Sequence, residues 1–215
     1  MKRIILFISV IVFSISAFSQ LRLDAGFGIG RGNVKYVERF TGLIFEPRNF
    51  EARLSASADA RIGYEFSHGI GVYSGLRYDL IRSEGISDKM YSCLTQEYTQ
   101  EPSRMLIFHF LTVPLMVEYR FVRDIVRPYF GCGASFYLGG PRNFVDDLPN
   151  IAHGAVVEYK RVAPSLLFGV NFEYRRFMFG VGMRRDVRPF LATVRRFDTD
   201  WKVRQLSFRV GWRVF

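Results

Sequence analysis

Histidine and cysteine are the residue types through which this chain would most readily carry out nucleophilic or metal chemistry. The three histidines are isolated: His68 lies in a short turn-like stretch, His109 in an apolar stretch and His153 in a long irregular segment. None has a serine or carboxylate partner at the spacing of a catalytic triad, and no Cys/His cluster has metal-ligand spacing. The sequence therefore predicts no catalytic, cofactor-binding or metal-binding residues, and a protein that is not an enzyme.

The acidic pairs and the two cysteines add no further site. Asp146-Asp147 and the nearby Asp198 and Asp200 lack the twelve-residue pattern of a calcium loop, so solvated loop charges are expected. Cys93 lies in a loop-like stretch and Cys132 in the middle of an alternating segment. A bridge between them would need the loop to fold along the wall of the structure, so no disulfide is expected.

The first nineteen residues have the organisation of a secretory signal peptide. Lys2 and Arg3 precede an uncharged stretch over residues 4–18, and small residues favour cleavage between Ser19 and Gln20. A membrane anchor is the alternative, but this stretch is short for a transmembrane helix. The chain thus divides into a signal peptide, residues 1–19, and a domain over residues 20–215, and cleavage lowers the net charge from +10 to +8.

Period-two alternation dominates the mature chain. Over residues 52–66 the even positions are mostly apolar and the odd positions mostly polar, which is typical of a strand with one apolar face. Hydrophobic residues make up 49% of the chain, yet the other long apolar run, residues 105–117, is too short and too polar for a membrane helix. A membrane would therefore be crossed by strands.

Eight segments show this period-two pattern, and the connections between them are long and short by turns. The predicted strands are residues 21–29, 52–66, 70–80, 105–121, 128–138, 162–174, 177–183 and 201–215. The long connections are residues 31–49, 83–104, 139–160 and 185–200, and the short ones are residues 67–69, 122–126 and 175–176. This pattern predicts an all-β, eight-stranded antiparallel up-and-down transmembrane β-barrel, with both termini periplasmic and four long extracellular loops.

The polar faces are assigned to the lumen because eight strands enclose a space that side chains can just fill. Charges packed there must pair with one another. A soluble lipocalin-type barrel is the alternative, and it would need the inverse arrangement, with an apolar pocket and a polar exterior. The predicted lumen charge network consists of Arg53, Asp59, Arg61, Arg77, Asp79, Glu118, Arg120 and Glu173.

Cations beside the fourth long connection predict a second feature. The fourth long connection is flanked by four arginines at the level where lipopolysaccharide phosphates lie, so headgroup contact is expected from Arg184, Arg185, Arg195 and Arg196.

A nucleic-acid partner is excluded because the protein is exported. In the last strand the apolar positions change parity at Gln205, which predicts a β-bulge.

Two adjacent strands resemble a known family. The run L-T-V-P-L-M-V-E-Y at residues 111–119, followed by R-P-Y-F-G-C-G at residues 127–133, resembles paired motifs of the small outer-membrane β-barrels typical of Bacteroidota, called porin-family or PorT-like proteins. Pro114 cannot donate a ladder hydrogen bond and predicts a bulge or local break. The terminal Phe215 resembles the aromatic signal recognised by the barrel-assembly machinery, although it lies outside the apolar register.

The resemblance implies an integral protein of the Gram-negative outer membrane. A narrow, charged lumen should not pass sugars, so we expect a scaffolding or binding role, with no cofactor. The alternatives are an accessory role in type IX protein secretion and a lipid A modifying enzyme in which His109 acts on lipid. The expected partners are outer-membrane lipid and lipopolysaccharide, the assembly machinery, and a protein bound through the loops or the periplasmic face.

Overall fold

A closed antiparallel sheet of eight strands forms the protein. The computed structural model describes residues 19–40, 43–45, 50–85, 89–92, 97–100, 104–121, 125–140, 156–159, 162–194 and 198–214. The barrel strands are β1 (Ser19–Phe40), β2 (Phe50–Phe66), β3 (Ile70–Gly85), β4 (Arg104–Tyr119), β5 (Val126–Gly139), β6 (Val162–Tyr174), β7 (Phe177–Asp186) and β8 (Asp198–Arg213). Each strand pairs with the next in the chain, and β1 pairs with β8 to close the barrel. The predicted eight-stranded up-and-down barrel is therefore confirmed.

Five short strands lie beside or beyond the barrel wall. They are Leu43–Phe45, which pairs with β1, the hairpin of Lys89–Ser92 and Glu97–Gln100, and Val156–Tyr159 and Leu191–Val194, which pair with each other. Leu191–Val194 also pairs with β8. No helix long and apolar enough to cross a membrane occurs in the described part of the chain.

The two faces of the wall have opposite polarity. Phe27 is 75% exposed on the outer face, whereas Arg22 and Asp79 are buried in the lumen. Alternation along each strand produces this separation, because successive side chains point to opposite faces. The exterior is apolar and the interior largely polar, which is the inverse of a lipocalin-type soluble barrel.

Strands β1 and β8 depart from their predicted course. β1 continues past Ile29 to Phe40, because its second half also pairs with β8. The bulge expected at Gln205 is absent, since β8 keeps one continuous register against both β1 and β7. Val203 therefore points into the lumen and Arg204 points outward. The change in parity reflects an apolar end of the lumen rather than an irregular backbone.

Pro114 interrupts the ladder between β3 and β4. The paired residues run to Ser74 opposite Leu115 and resume at Arg77 opposite Thr112, with the same register on both sides. The Ser74 hydroxyl donates a hydrogen bond to the Pro114 carbonyl oxygen at 2.8 Å. A local break is therefore present, as predicted, without a bulge at this point.

Aromatic side chains surround the outer wall near the short turns. Phe177 and Trp212 pack edge to face with ring centroids 4.6 Å apart, and Tyr64 and Phe66 do so at 5.0 Å. Tyr129, near the same end, instead shares the inward parity of Arg127 and packs against Tyr73, Met116 and Leu167. An outer aromatic girdle is typical of barrels that sit in a membrane.

Candidate functional site

Two glutamates organise the lower tier of the lumen, at its short-turn end. Arg22 Nη2 lies 2.5 Å from Glu65 Oε2, and its Nη1 lies 3.2 Å from Glu173 Oε2. Arg127 bridges the same two carboxylates, with its Nε 2.6 Å from Glu173 Oε2. The Tyr73 hydroxyl donates to Glu65 Oε1 at 2.8 Å. Two further cations complete this tier, Arg120 beside Glu65 and Arg213 beside Glu173.

Arg61 is the centre of the middle tier. Its guanidinium donates to Glu118 Oε1 at 2.9 Å and to Asp24 Oδ2 at 3.2 Å, and its Nε lies 3.8 Å from Asp59. Asp59 is held from the other side by Arg209, whose Nη2 lies 2.6 Å from Asp59 Oδ1. Two uncharged side chains complete the tier, Asn171 on Glu118 and the Met178 thioether between Arg61 and Arg209.

The upper tier is built around Asp79 and Arg184. Arg184 Nη1 donates to Asp79 Oδ2 at 2.9 Å, and its Nη2 donates to Asp186 Oδ1 at 3.2 Å. Arg77 Nε reaches the other Asp79 oxygen at 2.9 Å. Arg184 was predicted to contact lipopolysaccharide on the surface, and this is wrong because its side chain is fully buried and faces inward.

An apolar cluster closes the lumen at the end of the long connections. The Arg184 guanidinium lies over the Phe110 ring at 4.8 Å, which joins the upper tier to this cluster. Phe190, from the segment after β7, packs edge to face against Phe108 and Phe110 at centroid distances of 5.7 and 5.1 Å. The cluster consists of Val34, Ile81, Leu106, Phe108, Phe110, Ala163, Phe190 and Val203, with Tyr137 packed against it.

The three tiers nearly balance in charge. They contain seven carboxylates, Asp24, Asp59, Glu65, Asp79, Glu118, Glu173 and Asp186, and eight guanidiniums, Arg22, Arg61, Arg77, Arg120, Arg127, Arg184, Arg209 and Arg213. Buried charges are tolerated when they are paired, and each of these groups has an oppositely charged neighbour, although single atoms such as Arg61 Nε and Glu118 Oε2 make no hydrogen bond. Chemically, its ion pairs link strands across the lumen, as Arg22 on β1 does with Glu173 on β6.

The structure brings together seven of the eight residues proposed for the lumen network. They are Asp59, Arg61, Arg77, Asp79, Glu118, Arg120 and Glu173. Arg53 departs from the expectation: its side chain is 45% exposed at the rim, where it pairs with Glu51 and Glu84. Arg53 lies near the end of its strand, where the pairing of β2 with β3 shifts register between Ala52 and Ala56, and this irregularity sets it apart from the others.

Several lumen residues lie outside the predicted network, and three of them show why sequence reasoning missed them. Arg127 was considered only as part of a motif, although its parity matches that of the inward Tyr129 and Gly131. Asp186 lies past the predicted end of its strand at residue 183. Tyr73 was assigned to a polar face without a role, and its ring leaves room for no side chain at Gly63, where a Cβ atom would overlap it. A closely approached glycine is the signal that could have located it.

Comparison with known proteins gives a fold likeness and no family. No family model matches the chain, and no curated protein matches it in sequence. Among solved structures, the chain is similar to Neisserial surface protein A, with a TM-score of 0.41 and 13% identity over 90% of this chain and 97% of that one. It is also similar to the outer membrane protein OprG from Pseudomonas aeruginosa, with a TM-score of 0.42 and 10% identity over 91% of this chain and 96% of that one. The outer membrane protease OmpT from Escherichia coli is similar with a TM-score of 0.41 and 7% identity over 89% of this chain and 96% of that one.

The histidines have few polar neighbours. His109 lies on the outer wall, where its Nδ1 is 2.6 Å from the Tyr78 hydroxyl. His68 is exposed in the turn between β2 and β3, with Nδ1 3.2 Å from the Ser67 hydroxyl. His153 lies outside the described residues. Within the described ranges, no group of three His, Cys, Asp or Glu side chains could hold a metal ion.

The other proposed sites fall partly outside the described residues. Ser19 and Gln20, the expected cleavage point, are the first residues of β1. Cys132 is exposed on the outer wall. Cys93, Arg195, Arg196 and Phe215 lie outside the described residues, as do residues 1–18 and the Asp146-Asp147 pair.

Proposed function

We propose that this protein is an integral outer-membrane β-barrel that works as a scaffold or binding protein. The observation that carries the proposal is the filled lumen, where three charged tiers and an apolar cluster occupy the axis in succession. A barrel filled in this way leaves its ends, connections and outer wall for function. A scaffolding role uses those surfaces.

The outer wall supports the membrane location. The outward apolar stripe of β1 runs from Leu21 to Ile29 and that of β3 from Ile70 to Leu80, which is nine and eleven residues of strand. About 9 to 11 tilted residues cross a bilayer core. The signal peptide expected at residues 1–19 provides the route of export to the outer membrane.

Planar-bilayer recording tests the filled lumen. We expect the purified monomer to give no stable, large conductance, because paired charges and an apolar cluster occupy the lumen. A porin reconstituted in the same bilayers is the positive control. Stable porin-like conductance steps from the monomer would refute the proposed role and favour a solute channel.

The proposal includes the absence of enzymatic activity. A lipid A modifying enzyme would need a nucleophile or a general base oriented by a third group. His109 is the candidate base at the lipid surface, and its polar contact among the described side chains is Tyr78, a phenol that supplies no carboxylate to orient it. An acyl pattern of lipid A that changes with the protein and reverts in His109→Ala would contradict this part of the proposal.

An accessory role in type IX secretion is the second candidate. It is favoured by the motif strands, which lie side by side as β4 and β5 with Pro114 opposite Gly133. If this role holds, deletion of the gene is expected to abolish type IX secretion. A gene copy in which Pro114 on β4 is substituted should restore secretion only in part. Normal secretion in the deletion strain would remove this candidate and leave the scaffolding role.

A further inference from the structure

Four arginines on the outer wall end the apolar stripe at the same end of the barrel. Moving towards the long connections, Ile29 is followed outward by Arg31 on β1, and the outward stripes of β3, β7 and β8 change from apolar to arginine in the same way. All four of these side chains are exposed. We call them the arginine arc: Arg31, Arg82, Arg185 and Arg204.

Three of the four arginines lie on neighbouring strands, β7, β8 and β1, and Arg82 lies on β3, beyond β2. Arg185 on β7 stands directly opposite Arg204 on β8. Arg204 is opposite Asn33 on β1, and Arg31, two residues from Asn33, is opposite Leu54 on β2. Like charges directly opposite one another destabilise a sheet, so the Arg185 and Arg204 pair calls for an anion between its guanidiniums.

No described carboxylate supplies that anion. Every arginine of the lumen tiers has an ion pair, whereas none of the four arc guanidiniums is paired with a side chain in the described part of the protein. The rim carboxylates Glu51 and Glu84 are held by Arg53. The arc is thus a part of the outer surface with excess positive charge and no ion-pair partner among the described side chains.

On the opposite side of the barrel, the described part of the outer wall lacks this charge. On β4, β5 and β6 the described outward side chains at the same end are uncharged, and they include Met105, Ile107, Leu138 and Val162. Among the described side chains, the cations of the outer wall at this end therefore lie on one side of the barrel, which favours a molecule bound on that side.

We infer that the arginine arc binds the phosphate groups of a phosphorylated glycolipid in the leaflet on the long-connection side. Guanidinium groups bind phosphate oxygens in a bidentate manner, and the arc lies where the apolar wall ends, which is the level of lipid headgroups. The inference rests on the proposed outer-membrane location. Of the expected lipid contacts, it excludes the buried Arg184, keeps Arg185 and adds Arg31, Arg82 and Arg204.

Lipid A and dephosphorylated lipid A are the probes for this site. The intact protein, folded in phosphatidylcholine vesicles containing one or the other, is extracted gently and the retained lipid is counted by native mass spectrometry. We expect retention of lipid A but not of the dephosphorylated form. The double variant Arg185→Gln/Arg204→Gln should lose roughly 25-fold in affinity, about fivefold for each cation.

The turn at the other end of the barrel offers a matched control. Arg175→Gln/Arg176→Gln removes the same charge from two exposed adjacent arginines and should leave lipid A retention unchanged. Equal losses in both double variants, or in neither, would overturn the inference. Displacement of lipid A by inorganic pyrophosphate alone would also overturn it, by showing a site for free phosphate.

Folding into the vesicles is measured separately by heat-modifiable migration on a denaturing gel. Failure of the wild-type protein to insert would contradict the proposed membrane location. Insertion without a preference for lipid A would contradict the inferred site alone.

Discussion

Replacing Arg61 by methionine is expected to lower the free energy of unfolding by about 3 to 5 kcal/mol, the usual cost of removing one partner from a buried ion pair. Arg61 is 5% exposed and contacts Asp24 and Glu118 in the middle tier. Without it, Glu118 would keep Asn171 as its hydrogen-bond donor, and a buried carboxylate would be left without a cation within hydrogen-bonding distance. Guanidinium unfolding of the detergent-folded protein, followed by tryptophan fluorescence, measures the loss.

Arg53→Met is the matched control because it makes the same change on the same strand. Arg53 is 45% exposed and its partners Glu51 and Glu84 are 54% and 21% exposed, so water replaces the lost ion pairs. Exposed ion pairs contribute about 0 to 1 kcal/mol, and the control should lose no more than that. Similar losses in the two variants would mean that the lumen is wet and that the tiers do not stabilise the barrel.

This pair of arginines also marks the limit of what sequence can predict here. Alternation of apolar and polar residues was sufficient to predict eight strands and to assign their faces, because side chains in a strand alternate strictly. Arg53 and Arg61 both occupy odd, polar positions in the sequence of β2, but the pairing of β2 with β3 shifts register between Ala52 and Ala56. Parity carries no information about a local register shift or about depth along the barrel axis, so the burial of Arg61 and the exposure of Arg53 could not be separated.

Connections account for most of the remaining differences. Phe190 closes the lumen from a segment outside the barrel wall, where no periodic pattern marks a residue as inward-facing. Val203 belongs to the same apolar cluster. Because the whole interior was assumed to be polar, this apolar inward residue was interpreted as outward-facing, and a β-bulge was predicted to explain its parity. Arg184 and Arg185 are neighbours in sequence, yet strand geometry places one in the lumen and the other on the wall.

The location of the excess positive charge follows from the same geometry. The lumen tiers are within one charge of neutrality, so the +10 of the whole chain resides almost entirely elsewhere. Part of it forms the arginine arc on the outer wall. Because the carboxylates of the lumen neutralise its cations, the basic composition of this protein reflects positive charge on its outer surface and connections.

Replacing Phe110 by alanine is expected to destabilise the barrel by about 3 to 5 kcal/mol, the range for a buried phenylalanine. Phe110 is fully buried, and its ring packs against Phe190 and Tyr137 with centroids 5.1 and 5.7 Å away. Its loss also removes the aromatic face on which the Arg184 guanidinium lies. The change would therefore open a cavity where the upper tier meets the apolar cluster.

Phe110→Leu separates the effect of lost side-chain volume from the effect of losing the aromatic ring. Leucine keeps most of the buried apolar volume, so this variant should lose less than about 1.5 kcal/mol in the same unfolding assay. If alanine and leucine gave equal losses, the aromatic contact with Arg184 rather than cavity formation would dominate. If neither variant lost stability, the apolar cluster would be too loosely packed to close the lumen, and the bilayer recordings of the alanine variant should then show current that the wild-type protein lacks.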